Sequence, residues 1–285
     1  MSKTILTRSA YDRRIQELRG IPCHPNSCPW SSPSEETHRT VLRFPWRGHM
    51  QSFYGRKQIF YGFDRLWNWQ EEQILGVYPY VAVDYDEGQY IAQQLKSQGI
   101  HYPESKRGIH IITTDFYIVT QKEQKAILLL SESSVVNNPV FRQEYEIRRL
   151  FYEAHGVSLF LVDPNDLSPV RSRNIQFLFA PVPDHIETCD PEILSWFVQE
   201  YSKGHQTPVE IARSCERRYH MNPPDGNHVF RFLAAHKKIY VNVDEPIDYC
   251  QLPVVPKTGD IQRTCSYEKP AKPLAELIKA LPSSS

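Results

Sequence analysis

Hydrophobic and polar positions along the chain follow two rhythms. Short apolar or alternating runs recur at 39–47 (RTVLRFPWR), 73–82 (QILGVYPYVA), 109–120 (IHIITTDFYIVT), 126–131 (AILLLS) and 157–162 (VSLFLV). Runs of this length, bounded by turn residues, predict strands, and the continuous apolar ones predict strands covered on both faces. Between them the spacing turns helical. Residues 53–68 place Phe53, Ile59, Phe60, Phe63 and Trp67 on one stripe, 88–99 end at Gly99, and 139–155 close at His155-Gly156. The basic segment 5–20 also reads as a helix ended by Gly20, ahead of a Pro/Ser/Cys-rich loop at 21–38. Strand, polar turn (121–125), strand, helix, strand implies a mixed α/β core with a crossover helix. A Pro/Asp turn then leads into a helix near 170–179.

Pro181 and Pro183 mark a boundary, and the pattern beyond it is helical. Residues 191–203 have i, i+3, i+4 spacing. The stretch 207–220 opens with Thr207-Pro208, a cap followed by proline at the first helical position. A third helix is expected at 226–237 and a short strand at 238–243 (KIYVNV). Three helices and a strand suggest a winged helix-turn-helix whose last helix enters the major groove, with His228, Arg231, His236 and Lys237 facing solvent. The competing reading is a small helical domain that only packs or binds protein. From 252 onward the chain is Pro/Lys/Ser-rich and reads as a flexible tail or partner-binding peptide. The expected organisation is a basic arm and loop (1–50), an α/β domain (51–182), a winged-helix-like domain (184–250) and a tail (251–285).

Composition changes this picture in one respect. The 285 residues carry 33 basic and 33 acidic side chains, a net charge of zero, so a polyanionic partner would have to be met locally. The charge is unevenly spread. Residues 1–60 sum to +6, with Arg13, Arg14, Arg19, Arg56 and Lys57 among the basic groups, and residues 61–115 sum to −4. That asymmetry is what a basic nucleic-acid arm beside an acidic site would give, although a patchy surface gives it too. No stretch reaches the ~18 apolar residues of a membrane span, and the first residues lack the apolar core of a secretory signal. The six cysteines are scattered and read as reduced thiols. Cys23-x4-Cys28 around His24 has the look of half a zinc site without its partner pair. Together these features predict a cytoplasmic protein with no membrane partner.

The chemistry centres on Asp115, an acid in the middle of a β-branched strand. An acid there, a turn and a second buried strand match the PD-(D/E)xK nucleases. In those enzymes carboxylates hold Mg²⁺, which polarises the phosphate and generates hydroxide, while a lysine steadies the developing charge. A mid-strand Asp also serves as an ordinary edge or turn residue.

The segments HYPESKRGIHIITTDFYIV (101–119), AILLL (126–130), EYEIRRLFYEAHGVSLFLVDPNDLSPVRSRNIQFL (144–178) and DRRIQELRG (12–20) together resemble TnsA, the endonuclease subunit of heteromeric Tn7-type transposases. The likeness runs from about residue 10 to 245. It implies a restriction-endonuclease-like domain followed by a winged-helix-like one. Double-stranded transposon-end DNA, a TnsB-like DDE transposase and a TnsC-like AAA+ ATPase are the implied partners, the last met by residues 184–285. Carried across position by position, the family's aspartate falls on Asp115, the implied metal ligand. The family's glutamate falls on Gln58 and its lysine on Leu130, with Leu128 at the intervening glutamine. Gln58 brings no charge and Leu130 binds no phosphate, so the implied centre is degenerate. Asp64, Glu71 or Glu72 are alternative sources of the acid, and Lys122 or Lys125 of the lysine. Lys125 should lie on the opposite face of the strand from Leu130. Glu146 and Arg148 are the other polar groups expected near the cleft. The readings left open are a transposase subunit with a lost or weakened nuclease, an active Mg²⁺-dependent endonuclease cutting 5′ strands at transposon ends, a protein-binding regulatory module, and a nuclease acting alone.

Overall fold

The structure, a computed structural model, describes residues 5–6, 39–43, 50–54, 56–68, 74–104, 109–120, 122–253 and 267–280. The predicted arm residues Arg13, Arg14 and Arg19, the Cys23/His24/Cys28 motif, and Glu71 and Glu72 lie outside these.

Nine strands occur among the described residues: β1 (Ile5–Leu6), β2 (Arg39–Arg43), β3 (Met50–Tyr54), β4 (Ile74–Ala82), β5 (Ile109–His110), β6 (Thr113–Thr120), β7 (Gln124–Leu128), β8 (Ser158–Leu161) and β9 (Lys269–Pro270). The helices are α1 (Arg56–Asn68), α2 (Tyr85–Gln94), α3 (Glu132–Asn137), α4 (Pro139–Ala154), α5 (Pro169–Leu178), α6 (Asp184–Glu187), α7 (Pro191–Lys203), α8 (Pro208–Arg218), α9 (Asp225–Ala235) and α10 (Leu274–Ala280). Five strands form the main sheet in the order β4-β6-β7-β8-β9. Only β7 and β8 run parallel, with Ala126 opposite Leu159, and the α3–α4 pair makes the crossover between them. The mixed α/β architecture expected from the alternation of runs is the one observed. β2 and β3 form a separate hairpin, and β1 pairs antiparallel with β5, so Ile5 and Leu6 belong to a strand rather than to the expected helix.

Residue alternation along β6 and β7 sends apolar side chains to both faces of the sheet. Phe116, Ile118, Ile127 and Leu129 join a core with Tyr61 and Phe63 of α1, Ile175 and Leu178 of α5, and residues of α7, α8 and α9. Ala126, Leu128 and Leu130 join a second core with Ala92 of α2 and Tyr145, Ile147 and Tyr152 of α4. Helices therefore cover the sheet on both sides. The first core continues past residue 182 through Phe197, Ile211, Val229 and Phe230 to Val243.

Two further expectations change. Residues 238–243 form no strand. Their alternating pattern finds no strand to pair with, and the segment is held instead by side chains: Tyr201 donates to the Tyr240 carbonyl at 2.7 Å, and Asn174 to those of Val243 (2.9 Å) and Glu245 (2.6 Å). The tail is also partly ordered. Within it β9 adds to β8 antiparallel, and α10 buries Leu274 and Leu277 against α3 and α4. No helix among the described residues is long and apolar enough to cross a membrane.

Candidate functional site

Asp115 sits where β6 and β7 part. The ladder pairs Phe116 with Ile127, and beyond it β7 ends at Leu128. The Asp115 carboxylate takes over the role of the ladder: its Oδ2 accepts from the Leu129 N–H at 2.8 Å. The first turn of α1 lies against the same point. Gln58, 2% exposed, donates through Nε2 to the Asp115 carbonyl at 3.4 Å, and its amide also favours the ionised carboxylate. Leu130 follows Leu129, and the alternation places it on the same face of the sheet as Asp115, buried in the second core. The three positions singled out by the resemblance are thus gathered around one end of the sheet. One of them carries a charge.

Burial raises the Asp115 pKa, opposed by the Leu129 N–H, Arg148, Gln58 and Lys57. Arg148 reaches the neighbourhood from α4. Its Nε donates to the Thr113 carbonyl at 2.8 Å and its Nη2 to Glu144 at 2.8 Å. Glu144 also meets Nε2 of buried His110 at 2.8 Å, and the Tyr102 hydroxyl donates to the His110 carbonyl. Burial would raise the Glu144 pKa, but Arg148 and His110 outweigh it and hold it at about 2. Sequence reasoning named Arg148 and missed His110 and Glu144. The i, i+4 spacing of Glu144 and Arg148 was the available signal.

The candidate replacements are engaged elsewhere. Asp64, six residues along α1 from Gln58, is bound by Arg171 and by the Tyr267 hydroxyl. Lys125 lies opposite Ile118, so it shares a face with Ile127 and not with Leu130. Its Nζ pairs with Glu123 at 2.7 Å and lies 5.0 Å from the centre of the Phe160 ring. Lys122 is exposed in the hairpin turn at the far end of β6, roughly 17 Å from Asp115 along the strand. Glu146 points away from the centre, bonding Arg149 at 2.7 Å and the Leu274 N–H at 3.2 Å.

Magnesium fits these residues poorly. It prefers one or two carboxylates and rigid octahedral oxygen geometry. The centre offers one carboxylate whose protonated form burial favours, a neutral amide and two nearby cations. Among the described residues no group of three or more His, Cys, Asp or Glu side chains is placed to hold a metal ion.

The residues expected to face DNA divide. Arg56 and Lys57 are exposed at the start of α1, and Lys57 is near enough to Asp115 to favour its ionised form. Arg231 is turned inward: Nε donates to the Phe177 carbonyl at 3.1 Å, and Nη2 to those of Ala180 and Pro181, closing the end of α5. His228 packs beside Asp225, with its Nδ1 buried, and His236 bonds the Phe232 carbonyl at 2.8 Å. Lys237 adopts a left-handed backbone (φ 57°) just past α9 and lays its ammonium over the Trp67 ring of α1. These four groups knit α9 to its surroundings rather than form a free basic surface.

The described chain is a mixed α/β protein with a five-stranded mixed sheet carrying a partial acid centre at one end. No protein-family model matches it, and no curated protein matches it.

Proposed function

We propose that the protein is a TnsA-like transposase subunit that binds double-stranded transposon-end DNA and links a TnsB-like DDE transposase to a TnsC-like AAA+ regulator, with its nuclease activity lost or strongly weakened. The observation that carries this reading is the grouping of Asp115, Gln58 and Leu130 at one sheet end. On this reading they are the positions of a nuclease centre in which the second acid and the lysine are replaced by groups unable to hold a metal or steady a phosphate charge. Lys57 and Arg148 leave this centre with positive charge beside Asp115, which suits contact with a phosphate backbone better than metal chemistry.

A cleavage assay on end-containing DNA, with the cognate transposase and Mg²⁺, tests it. The expected result is no 5′-strand nicking above that of Asp115→Ala, with cointegrates as the transposition products. Nicking that disappears in Asp115→Ala, together with clean simple insertions, would establish the active Mg²⁺-dependent endonuclease instead.

A further inference from the structure

The helix expected to read a DNA groove is not placed to do so. None of the 11 residues of α9 is exposed, and the helix packs against α5, α6, α7 and α8. A different stretch of the chain has the required charge. Residues 37–63 hold Arg39, Arg43, Arg47, Arg56 and Lys57 and not one Asp or Glu. In a chain of zero net charge, five cations with no acid among them are a local feature.

The fold gathers this stretch into one unit. β2 and β3 pair antiparallel over five residues each, from Arg39 opposite Tyr54 to Arg43 opposite Met50. They form a two-stranded ribbon separate from the five-stranded sheet. Arg39 and Arg43 are four positions apart, so strand alternation places both on one side of the ladder, ~13 Å apart along it. Arg47 falls in the connection 44–49 (FPWRGH) between the two strands. Gly55 alone separates β3 from α1. The first two residues of α1, Arg56 and Lys57, are exposed, and its first turn carries no acid. A lone two-stranded ribbon is at best marginally stable in water, and here β3 packs against α1. The ribbon is thereby tied to the helix that brings Gln58 and Lys57 to Asp115.

We propose that the β2–β3 ribbon, through Arg39, Arg43 and Arg47, is the element that docks a DNA duplex, with Arg56 and Lys57 continuing the contact along the same phosphate backbone toward Asp115. The inference rests on the proposed DNA partner but not on the state of the Asp115 centre. Two strands ~5 Å apart are slender enough to lie in a major groove ~12 Å wide, which admits a two-stranded ribbon as readily as a helix. The ~13 Å between Arg39 and Arg43 matches the rise of about four base pairs. Guanidinium groups spread along such a ribbon suit a regular polyanion better than an irregular acidic protein surface. The acidic protein is the alternative that the test addresses.

The test is fluorescence anisotropy of the full chain with an arbitrary-sequence duplex of about 30 base pairs, titrated over salt. Four variants are compared with the parent: Arg39→Ala/Arg43→Ala/Arg47→Ala, the same three positions changed to Lys, Arg56→Ala/Lys57→Ala, and Lys96→Ala/Arg173→Ala/Lys238→Ala, which removes charge from exposed sites elsewhere. The ribbon alanine triple should lose affinity by about tenfold or more and flatten the salt slope by about 2 to 3. The Arg56/Lys57 double should flatten it by about 2. The lysine triple should keep most of the slope, the distant triple should stay near the parent, and all should melt within a few degrees of it. A parent that binds with a steep salt slope while the ribbon alanine triple binds equally well, or loses no more than the distant triple, overturns this inference and leaves the DNA partner standing. A parent with no salt-dependent binding removes both. Displacement of the duplex by polyglutamate of matched charge as effectively as by unlabelled DNA would assign the ribbon to an acidic protein instead.

Discussion

At the scale of single residues, the centre shows how one side chain is legible in a sequence while its partners are not. Asp115 stands out because a charged residue interrupts a β-branched run. Gln58 emerged only through a family pattern, and the structure brings its amide against Asp115 across 57 positions of sequence. The His110–Glu144–Arg148 network was invisible as a unit because it joins a strand to a helix 34 residues away. Its pH behaviour follows from Glu144. A carboxyl held at about 2 in the folded chain, against a usual value of 4.5, contributes stability that is present above pH 4.5 and is lost as pH falls toward 2. Glu144→Gln should therefore cost about 2–3 kcal/mol at neutral pH. It should also flatten the stability profile between those pH values, as read by urea unfolding at a series of pH. A parallel loss at every pH would mean that the pair is not ionised as described.

At the scale of elements, periodicity gave the helices of the second half nearly to the residue. Thr207-Pro208 and Gly204 are local punctuation with local causes. It failed where the outcome depended on partners. Residues 238–243 alternate as a strand does, but they pair with no strand among the described residues, and hydroxyl and amide side chains fix the backbone instead. Arg231 and Lys237 looked solvent-facing by helical spacing. Their destinations, the carbonyls closing α5 and a ring on α1, lie far away in sequence. The crossing of α8 and α9 depends on one position. A Cβ at Gly226 would collide with the main chain of Ala212, so the two helices approach closely only because that atom is missing. Gly226→Ala should destabilise by about 2 kcal/mol or more, measured by thermal unfolding. A variant as stable as the parent would show that the crossing is looser than described.

At the scale of the whole molecule, the two apolar cores are bound together by the segment least expected to be ordered. Glu268 accepts from Tyr61 at 2.7 Å and pairs with Arg65, while the Tyr145 hydroxyl donates to the Lys272 carbonyl at 2.6 Å. This small patch thus touches α1 on one side of the sheet and α4 on the other. Its composition, rich in Pro and Lys, gave no hint of this, because the stabilising contacts are a handful of anchors and not a continuous apolar run. Deleting residues 267–285 removes Leu274 and Leu277, uncovers the apolar surface of α3 and α4 that they pack on, and leaves Arg65 facing an apolar core. The expected cost is about 4 kcal/mol or more, visible as a lower urea midpoint with Asp115 and α8 unaltered. An unchanged midpoint would return the segment to the status of a tail.

The same strap sets an order of events during synthesis. The Tyr61–Glu268 bond joins groups 207 positions apart, and β9 is the outermost strand of the sheet. While the ribosome is still translating the region beyond α9, the edge of β8 stands open and the Glu268 contacts to Arg65 and Tyr61 are not yet made. A nascent chain in that condition offers an unpaired strand to its neighbours. Closure comes only when residues 267–280 emerge from the exit tunnel, so this late segment acts as the latch that ends the exposure of the β8 edge to misassembly.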